Sequence, residues 1–513
     1  MPTIEGMNEP VRRMKCEVVN GQRPVASEAP RSSFSLLPSS FSLLIALLAL
    51  VAGGKAVLYD TIDPDCFWHL RVAAQLQRDG IGPIVDDISF ASIKTAWTPY
   101  SWLAELGMKA IWDLGGFRLA VLVQALLMAG FVILVAQGAR ELTRERNPLA
   151  IISATVIAMF LSLPYLSFRP VTFVIDILAA CFWLVLRDRR LGERSRAVWC
   201  IIPLTIVMTN CHFFAILVPI GMAALLLGAI WNRERAGRHA ILLALTLLAC
   251  CMTPMLPGAL RAVWNYQFAD PMVGGGVIAE FQPIWKSPIG MAIALLWIGL
   301  CIRHRDRFSA GESLLILGSF VLLMRLGRFA PVVAPILAAT LAVAMPPLGD
   351  RVIRRLPIRI AVAGVLAIGL LRIAAAFPSH DTQLSYWLNR HGPGTPGYPT
   401  AAADYVSKRI PPGRVINEFT WGGYLAWSLG DQFQVLMDGR TQLYTPEFWQ
   451  ASCLGDSETA KPILSSAHAL AAILPVQRSR FREPLIGLGW IPIYHDDRAE
   501  VLIPPMGSAS ITP

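Results

Sequence analysis

The sequence predicts a polytopic α-helical membrane protein of about eleven transmembrane helices, with a small C-terminal α/β domain outside the bilayer. Three observations carry that reading. Hydrophobic residues make up 54% of the 513 residues and charged residues only 16%, against about 25% charged in soluble proteins. Too few charges remain to coat a soluble protein of this size. Apolar runs recur from residue 36 to residue 377, and the short segments between them collect the basic residues of a chain with net charge +10. The same composition excludes a disordered chain, a collagen-like repeat and a disulfide-dense scaffold.

A hydrocarbon core takes roughly 20 apolar residues per helix. Runs of that kind lie at 36–58, 117–139, 149–166, 168–186, 197–210, 212–231, 240–256, 289–302, 312–326, 329–348 and 360–377. The fifth is short, and the boundaries within 197–231 are the least defined. With the N-terminus in the cytoplasm, the inner segments are 1–35, 140–148, 187–196, 232–239, 303–307 and 350–359. They hold 23 Lys and Arg against 11 acidic residues, and the rest of the chain holds 22 against 24. This asymmetry is the positive-inside rule. The basic balance therefore records topology, and nucleic acid is not needed as a partner to explain it.

Residues 1–35 are polar, contain Pro and Ser, and are expected to be a disordered cytoplasmic segment. The first run follows a basic region but lacks a small-x-small cleavage pattern, which favours an uncleaved signal-anchor. The transmembrane part then covers 36–377 and includes a long outer loop, 59–116. That loop reads as two surface helices. Asp63 and Pro64 give an N-cap and a first-turn proline, and Gly80 gives a stop. The second helix, 100–114, repeats Trp102, Leu103, Leu106, Ala110 and Leu114 at helical spacing before Gly115 and Gly116. In 378–505, strand-like runs at 414–417, 434–437, 469–474, 491–494 and 500–503 alternate with helical patterns at 401–408, 423–429 and 446–453. Such alternation predicts a small α/β domain, with 506–513 as a tail. Of the nine cysteines, Cys66 and Cys453 are the outward pair, and no zinc spacing is present.

Chemistry concentrates in the outer loop, at Tyr59, Asp60, Asp63, Asp65, His69 and Arg71. Asp65 and His69 are four apart and share a helical face. Two carboxylates and an imidazole there suit a general base or a divalent metal such as Mg or Mn. Asp63 reads equally as an N-cap; Asp65 is the stronger functional candidate, because Asp63 already serves the cap. Glu105 on the second surface helix reads as solvent contact or as substrate contact. Asp86 and Asp87 read as turn formers. Arg169, Arg325 and Arg328 face outward against the charge bias, where guanidinium groups match lipid-linked phosphate or snorkel to headgroups. Asp176 falls seven residues beyond Arg169 on the same face. His212 and Glu280 complete the outward polar set. In the tail, Asp438, Gly439 and Arg440 read first as a turn, and also as a segment that closes over substrate.

These residues fall into a pattern: Asp-x-Asp-x-x-Trp-His-Leu-Arg (Asp63 to Arg71), Asp-x-x-Ser-Phe (Asp86 to Phe90), Trp-Leu-Ala-Glu (Trp102 to Glu105), Phe-Arg-Pro (Phe168 to Pro170), Glu-Phe-Gln-Pro (Glu280 to Pro283) and Arg-Phe-Ala-Pro (Arg328 to Pro331). Trp-Gly-Gly-Tyr-Leu-Ala-Trp (Trp421 to Trp427) and Asp-Gly-Arg-Thr-x-Leu-Tyr (Asp438 to Tyr444) follow. Over roughly 40–505 the chain resembles uncharacterised bacterial integral-membrane proteins of the GT-C glycosyltransferase superfamily. The resemblance implies a GT-C-like enzyme of the bacterial inner membrane and cell envelope, with a cytoplasmic N-terminus and a periplasmic C-terminal domain. It would transfer a hexosyl or pentosyl group from a polyprenyl-phosphate sugar to an extracytoplasmic glycan, lipid or protein. Carried over, Asp65 is the base, assisted by Asp63 or His69, and Arg328 and Arg169 bind the donor phosphate. His212, Glu280, Glu105, Asp438 and Arg440 are further substrate-binding candidates. The pair is Asp-x-Asp where the superfamily carries adjacent carboxylates. A catalytically silent scaffold and a lipid or glycan transporter are the competing readings; a transporter calls for mid-membrane polar groups and internal symmetry.

Overall fold

The computed structural model describes residues 40–58, 62–94, 96–144, 147–264, 279–346, 356–377, 383–392 and 397–505. The expected N-terminal segment, Tyr59, Asp60 and the tail 506–513 lie outside the described residues. Every one of the apolar runs contains a helix. In chain order these are α1 (Ser40–Leu58), α3 (Trp102–Thr143), α4 (Pro148–Ser162), α5 (Pro170–Arg190), α6 (Ile201–Cys211), α7 (Leu217–Trp231), α8 (Gly237–Cys250), α10 (Pro288–Arg303), α11 (Ala310–Arg325), α12 (Ala330–Ala344) and α13 (Leu356–Ala376). Two more, α2 (Asp65–Asp79) and α9 (Leu256–Trp264), are not spans. Among the described residues, seven helices are long and apolar enough to cross a membrane: α1, α3, α4, α5, α7, α12 and α13, three of them lengthened by 3-10 turns. The others, α6, α8, α10 and α11, are shorter. The chain is a multi-pass membrane protein.

Helix starts are set by local sequence. Asn147 accepts from the Ala150 N–H ahead of Pro148, and Ser287 accepts from the Gly290 N–H ahead of Pro288. Ser309 and Glu312 form a reciprocal capping box on α11. These caps satisfy backbone groups that hydrocarbon cannot. The division within 197–231 falls at His212, whose extended backbone separates α6 from a 3-10 turn leading into α7.

The bundle packs around α3 and α12. Helix α3 runs against α1, α5 and α12, and α12 also packs on α4. Helix α12 is rich in Ala, Val and Pro, and nearly every residue from Ala330 to Ala342 is buried. Small side chains let helices approach closely where lipid gives no hydrophobic drive. Its Thr340 hydroxyl accepts from the Trp297 indole of α10 at 2.9 Å. In contrast, α13 buries none of its described side chains and packs chiefly on α1.

The second surface helix and the following span are two helices that meet at a break, and α3 denotes both; the break falls at Gly116, where the sequence places it. Gly116 has φ 59° and ψ −152°, a conformation that only glycine reaches without strain. The span begins directly after it, at Phe117.

The tail adds α14 (Leu384–Arg390), α15 (Thr400–Arg409), α16 (Gly422–Leu429), α17 (Pro446–Trp449), α18 (Lys461–Ser465) and α19 (Arg482–Gly487). Its five strands are β1 (Gly413–Asn417), β2 (Phe433–Val435), β3 (Ala471–Pro475), β4 (Ile491–His495) and β5 (Ala499–Ile503). The sheet order is β2-β1-β3-β5-β4, parallel from β2 to β3 and antiparallel beyond. Helix α16 forms the crossover between β1 and β2, as parallel pairing requires. Strand β3 is buried throughout and centres the core.

The edge strand β2 is covered by the first loop. The Phe90 N–H donates to the Val435 carbonyl and the Val435 N–H to the Ile88 carbonyl, both at 3.0 Å. Beside it lies a buried ionic knot. Arg440 Nη1 donates to Asp86 Oδ1, while Nη2 donates to Asp438 Oδ2 at 2.6 Å. Asp86 also accepts from the Ile88 and Ser89 N–H groups. Loop and sheet are therefore one packed unit around α2.

Candidate active site

The site begins at the N-terminus of α2. Asp63 Oδ1 accepts from the Asp65 N–H at 3.0 Å, which is the capping contact read from the sequence. Its other oxygen accepts from Ser167 Oγ at 2.9 Å and lies 3.1 Å from Arg169 Nη1. Asp63 is thus a cap and an anchor at once.

Arg169 precedes Pro170 and is extended, at φ −156° and ψ 162°, the region to which a following proline restricts it. Its buried guanidinium donates through Nη2 to Glu280 Oε2 at 3.0 Å and to the Tyr165 carbonyl at 3.2 Å. Expected on the donor phosphate, Arg169 is instead clamped between the carboxylates of Asp63 and Glu280.

Asp65 differs from Asp63. It is only partly exposed, and the Trp68 indole lies beside it without closing a well-formed hydrogen bond. Burial, then the charge of Asp63, push its carboxyl up to about 7; Trp68 and Arg169 partly offset that, and Glu280 adds to it. A carboxylate poised near neutrality can take a proton from an incoming nucleophile.

His69 does share the α2 face, but its ring turns to α3. His69 Nδ1 lies 2.9 Å from Glu105 Oε1, and Trp68 packs on the imidazole. Glu105 is buried at 2% exposure, so the solvent-contact reading of this residue is corrected. Burial, then Arg169, His212 and Arg440, hold His69 well below the usual histidine range. This contact joins α2 to α3.

His212 is buried where α6 ends. Its Nδ1 accepts from the Phe214 N–H at 3.2 Å, Phe213 stacks on the ring, and Tyr100 meets it edge-on. Arg328 belongs to the 3-10 turn Gly327–Phe329, and its guanidinium sits 4.9 Å above the Phe281 ring in a cation–π contact. The Gly327 N–H donates to the Gln282 carbonyl at 2.9 Å. These contacts bring Arg328 beside the Glu280 turn.

Asp438 and Arg440 do not reach this space. Both have no exposure and saturate each other and Asp86, so the substrate-binding expectation for them is replaced by a structural one. Arg71 likewise pairs with Asp431 at 2.6 Å. Cys66 and Cys453 are free thiols. Asp63 and Asp65 do not suit a metal held by side chains alone: Asp63 already engages both oxygens. Among the described residues, no three His, Cys, Asp or Glu gather to hold an ion.

No family model matches the sequence, and no curated protein matches it. Solved structures do. The Archaeoglobus fulgidus oligosaccharyltransferase, tethered to an acceptor peptide containing the NVT sequon, matches with a TM-score of 0.52 at 12% identity. The match covers 85% of this chain and 69% of that one. ArnT from Cupriavidus metallidurans in the apo state matches with a TM-score of 0.50 at 13% identity, over 90% of this chain and 97% of that one. Both are GT-C glycosyltransferases. The chain has a GT-C fold.

Several residues of the site carry no signal of their own in the sequence. Ser167 and Tyr165 hold Asp63 and Arg169, and the Tyr165 hydroxyl abuts Gly327. Gly439 read as a turn glycine, yet a Cβ there collides with Asp65 Oδ1 and Trp68 Nε1. A Cβ at Gly422 collides with the Met437 carbonyl. The paired tail motifs are the signal that was available: each keeps a glycine where the tail presses on itself or on α2.

Proposed function

We propose that this GT-C protein is an inverting glycosyltransferase of the bacterial inner membrane. It moves a hexosyl or pentosyl group from a polyprenyl-phosphate donor to an extracytoplasmic glycan, lipid or protein. The observation that carries the proposal is Asp65: a carboxylate poised near neutrality, without a well-formed partner, within the field of Arg169 at one end of a membrane bundle. The positive-inside charge pattern supports the orientation, with the N-terminus cytoplasmic and the sheet periplasmic.

In the proposed step, Asp65 takes the proton of the acceptor hydroxyl or amide as that group forms a bond to the anomeric carbon. The bond from that carbon to the phosphate oxygen breaks, and the phosphate leaves with the electron pair. Arg328, at the Glu280 turn, would supply the charge that stabilises the departing phosphate. Arg169 acts through Asp63 and Glu280 and sets the field at Asp65. An apolar cavity of about 440 Å³ between α5, α7, α11 and α12 begins one turn from Arg328, at Val332. Its lining suits a prenyl chain.

The test is transfer from a radiolabelled polyprenyl-phosphate sugar to membrane-extract acceptors by the purified protein in lipid nanodiscs. Label is expected in the acceptor fraction with wild type and not with Asp65→Asn. Equal transfer by both proteins overturns the assignment of the base.

A further inference from the structure

The bundle end opposite the carboxylates carries a second built site. Here α3 finishes at Arg140 and Glu141, and α5 finishes at Arg187 and Arg190. A cavity of about 380 Å³ lies between them, lined by Ile133, Leu134, Gln137, Trp183 and these charged residues. That is far more than the ~30 Å³ that one water takes. Three guanidinium groups meet one carboxylate there. Glu141 is engaged by Arg190, at 2.5 Å from Nε. The nearby acids are turned elsewhere: Asp188 pairs with Arg238 at 2.8 Å, and Glu312 faces Arg189 at 3.4 Å. Neither offsets the charge of the cavity.

Two donors on the lining lack acceptors. Trp183 Nε1 and Arg187 Nε are both enclosed and both without a hydrogen-bond partner. The Arg187 guanidinium lies 5.8 Å over the Trp183 ring, so the two donors belong to one stacked unit. A snorkelling arginine sends its head to water; it does not leave a guanidinium N–H enclosed and unsatisfied, which costs free energy. The missing partner is an anion with several acceptor oxygens. The apolar side of the cavity shows where that anion comes from. Ile133 is 42% exposed on the outer surface of α3, in position to meet an acyl chain rather than water.

We propose that this cavity binds the phosphate of an anionic phospholipid headgroup, with Arg187, Arg140 and Trp183 as its donors. Basic pockets between spanning helices recognise such headgroups by charge and by bidentate guanidinium geometry. The site is independent of the transfer reaction and stands whether or not that reaction is correctly assigned.

The test is native mass spectrometry of the full chain released from detergent, titrated with phosphatidylglycerol, phosphatidylcholine or inorganic phosphate. Phosphatidylglycerol is expected to stay bound at collision energies that strip phosphatidylcholine. Arg187→Gln is expected to weaken that binding about tenfold, the loss of one charge-assisted hydrogen bond. Arg303→Gln, at another basic helix end, is the control and leaves it unchanged. If Arg187→Gln does not fold, Trp183→Phe removes the second donor and makes the same comparison. Equal retention of the two lipids, or retention untouched by the folded variant, overturns the proposal. Displacement of phosphatidylglycerol by inorganic phosphate overturns the lipid as the source.

Discussion

Arg440 Nη1 donates to Asp86 Oδ1 across 2.7 Å, and neither side chain has any solvent exposure. Asp438 receives the other edge of the same guanidinium. Removing the cation leaves two enclosed carboxylates uncompensated. Arg440→Gln is expected to cost about 3–5 kcal/mol, the range for breaking a buried pair by deleting one partner. Arg440→Lys is expected to rescue little, since an ammonium lacks the planar fork. Thermal unfolding in detergent measures both, and an unchanged midpoint for Arg440→Gln refutes the knot as a structural element.

Asp65→Asn is expected to lower transfer by about 10²–10⁴, the usual contribution of a general base. The wild-type rate is expected to rise with pH through about 7 and then level off. Stability moves the other way. The folded carboxyl titrates above its ordinary 3.8, so keeping it ionised costs stability increasingly from there up to about 7. Asp65→Asn should therefore raise the unfolding midpoint at alkaline pH and raise it least in acid. A variant less stable than wild type under alkaline conditions contradicts the burial argument.

Neighbouring charges set where that pH profile bends. Arg169 favours ionised Asp65, and Glu280 opposes it. Arg169→Gln should move the midpoint of the rate profile up and Glu280→Gln should move it down, each by on the order of one pH unit. Shifts of the same sign in both variants would falsify the electrostatic account.

Gly439→Ala is a steric test. The added methyl meets Asp65 and Trp68, and overpacking of this kind costs about 1–3 kcal/mol. Transfer should fall more than stability, because the displaced group is the base. Activity at the wild-type level would show that the tail does not press on α2 in solution.

Chelation separates the carboxylates' own chemistry from that of a bound ion. Both Asp63 oxygens are already engaged, so transfer in excess EDTA is expected to match transfer without it. A rate lost in EDTA and restored by Mg or Mn shows that substrate and protein hold an ion together.

The helices were legible because their causes are local. Span length, Asn or Ser ahead of Pro, and arginines at one end are all visible within a few residues. His212 separated α6 from α7 for the same reason. Gly116 was legible as a break for that reason too, since its backbone conformation is one that glycine supplies by itself. The pairings of the site were not legible, because their partners are distant in the chain. Glu105 looked like solvent contact until His69, 36 residues away, met it. Arg169 looked available for phosphate, yet its second carboxylate, Glu280, lies 111 residues further on. Gly439 and Arg440 carry an ordinary turn signal, and only the folded chain shows that they press on α2 and close over Asp86.

Asp86 and Arg440 are 354 residues apart. At about 5–20 residues per second, the ribosome takes roughly 20–70 s to cover that distance. During that interval the first loop has left the ribosome without the strand that covers it or the cation that neutralises Asp86. Every later span is inserted meanwhile. Assembly of this end of the protein is thus a late event of biosynthesis, and a nascent chain cut short before β2 has all its spanning helices but an unfinished outer domain.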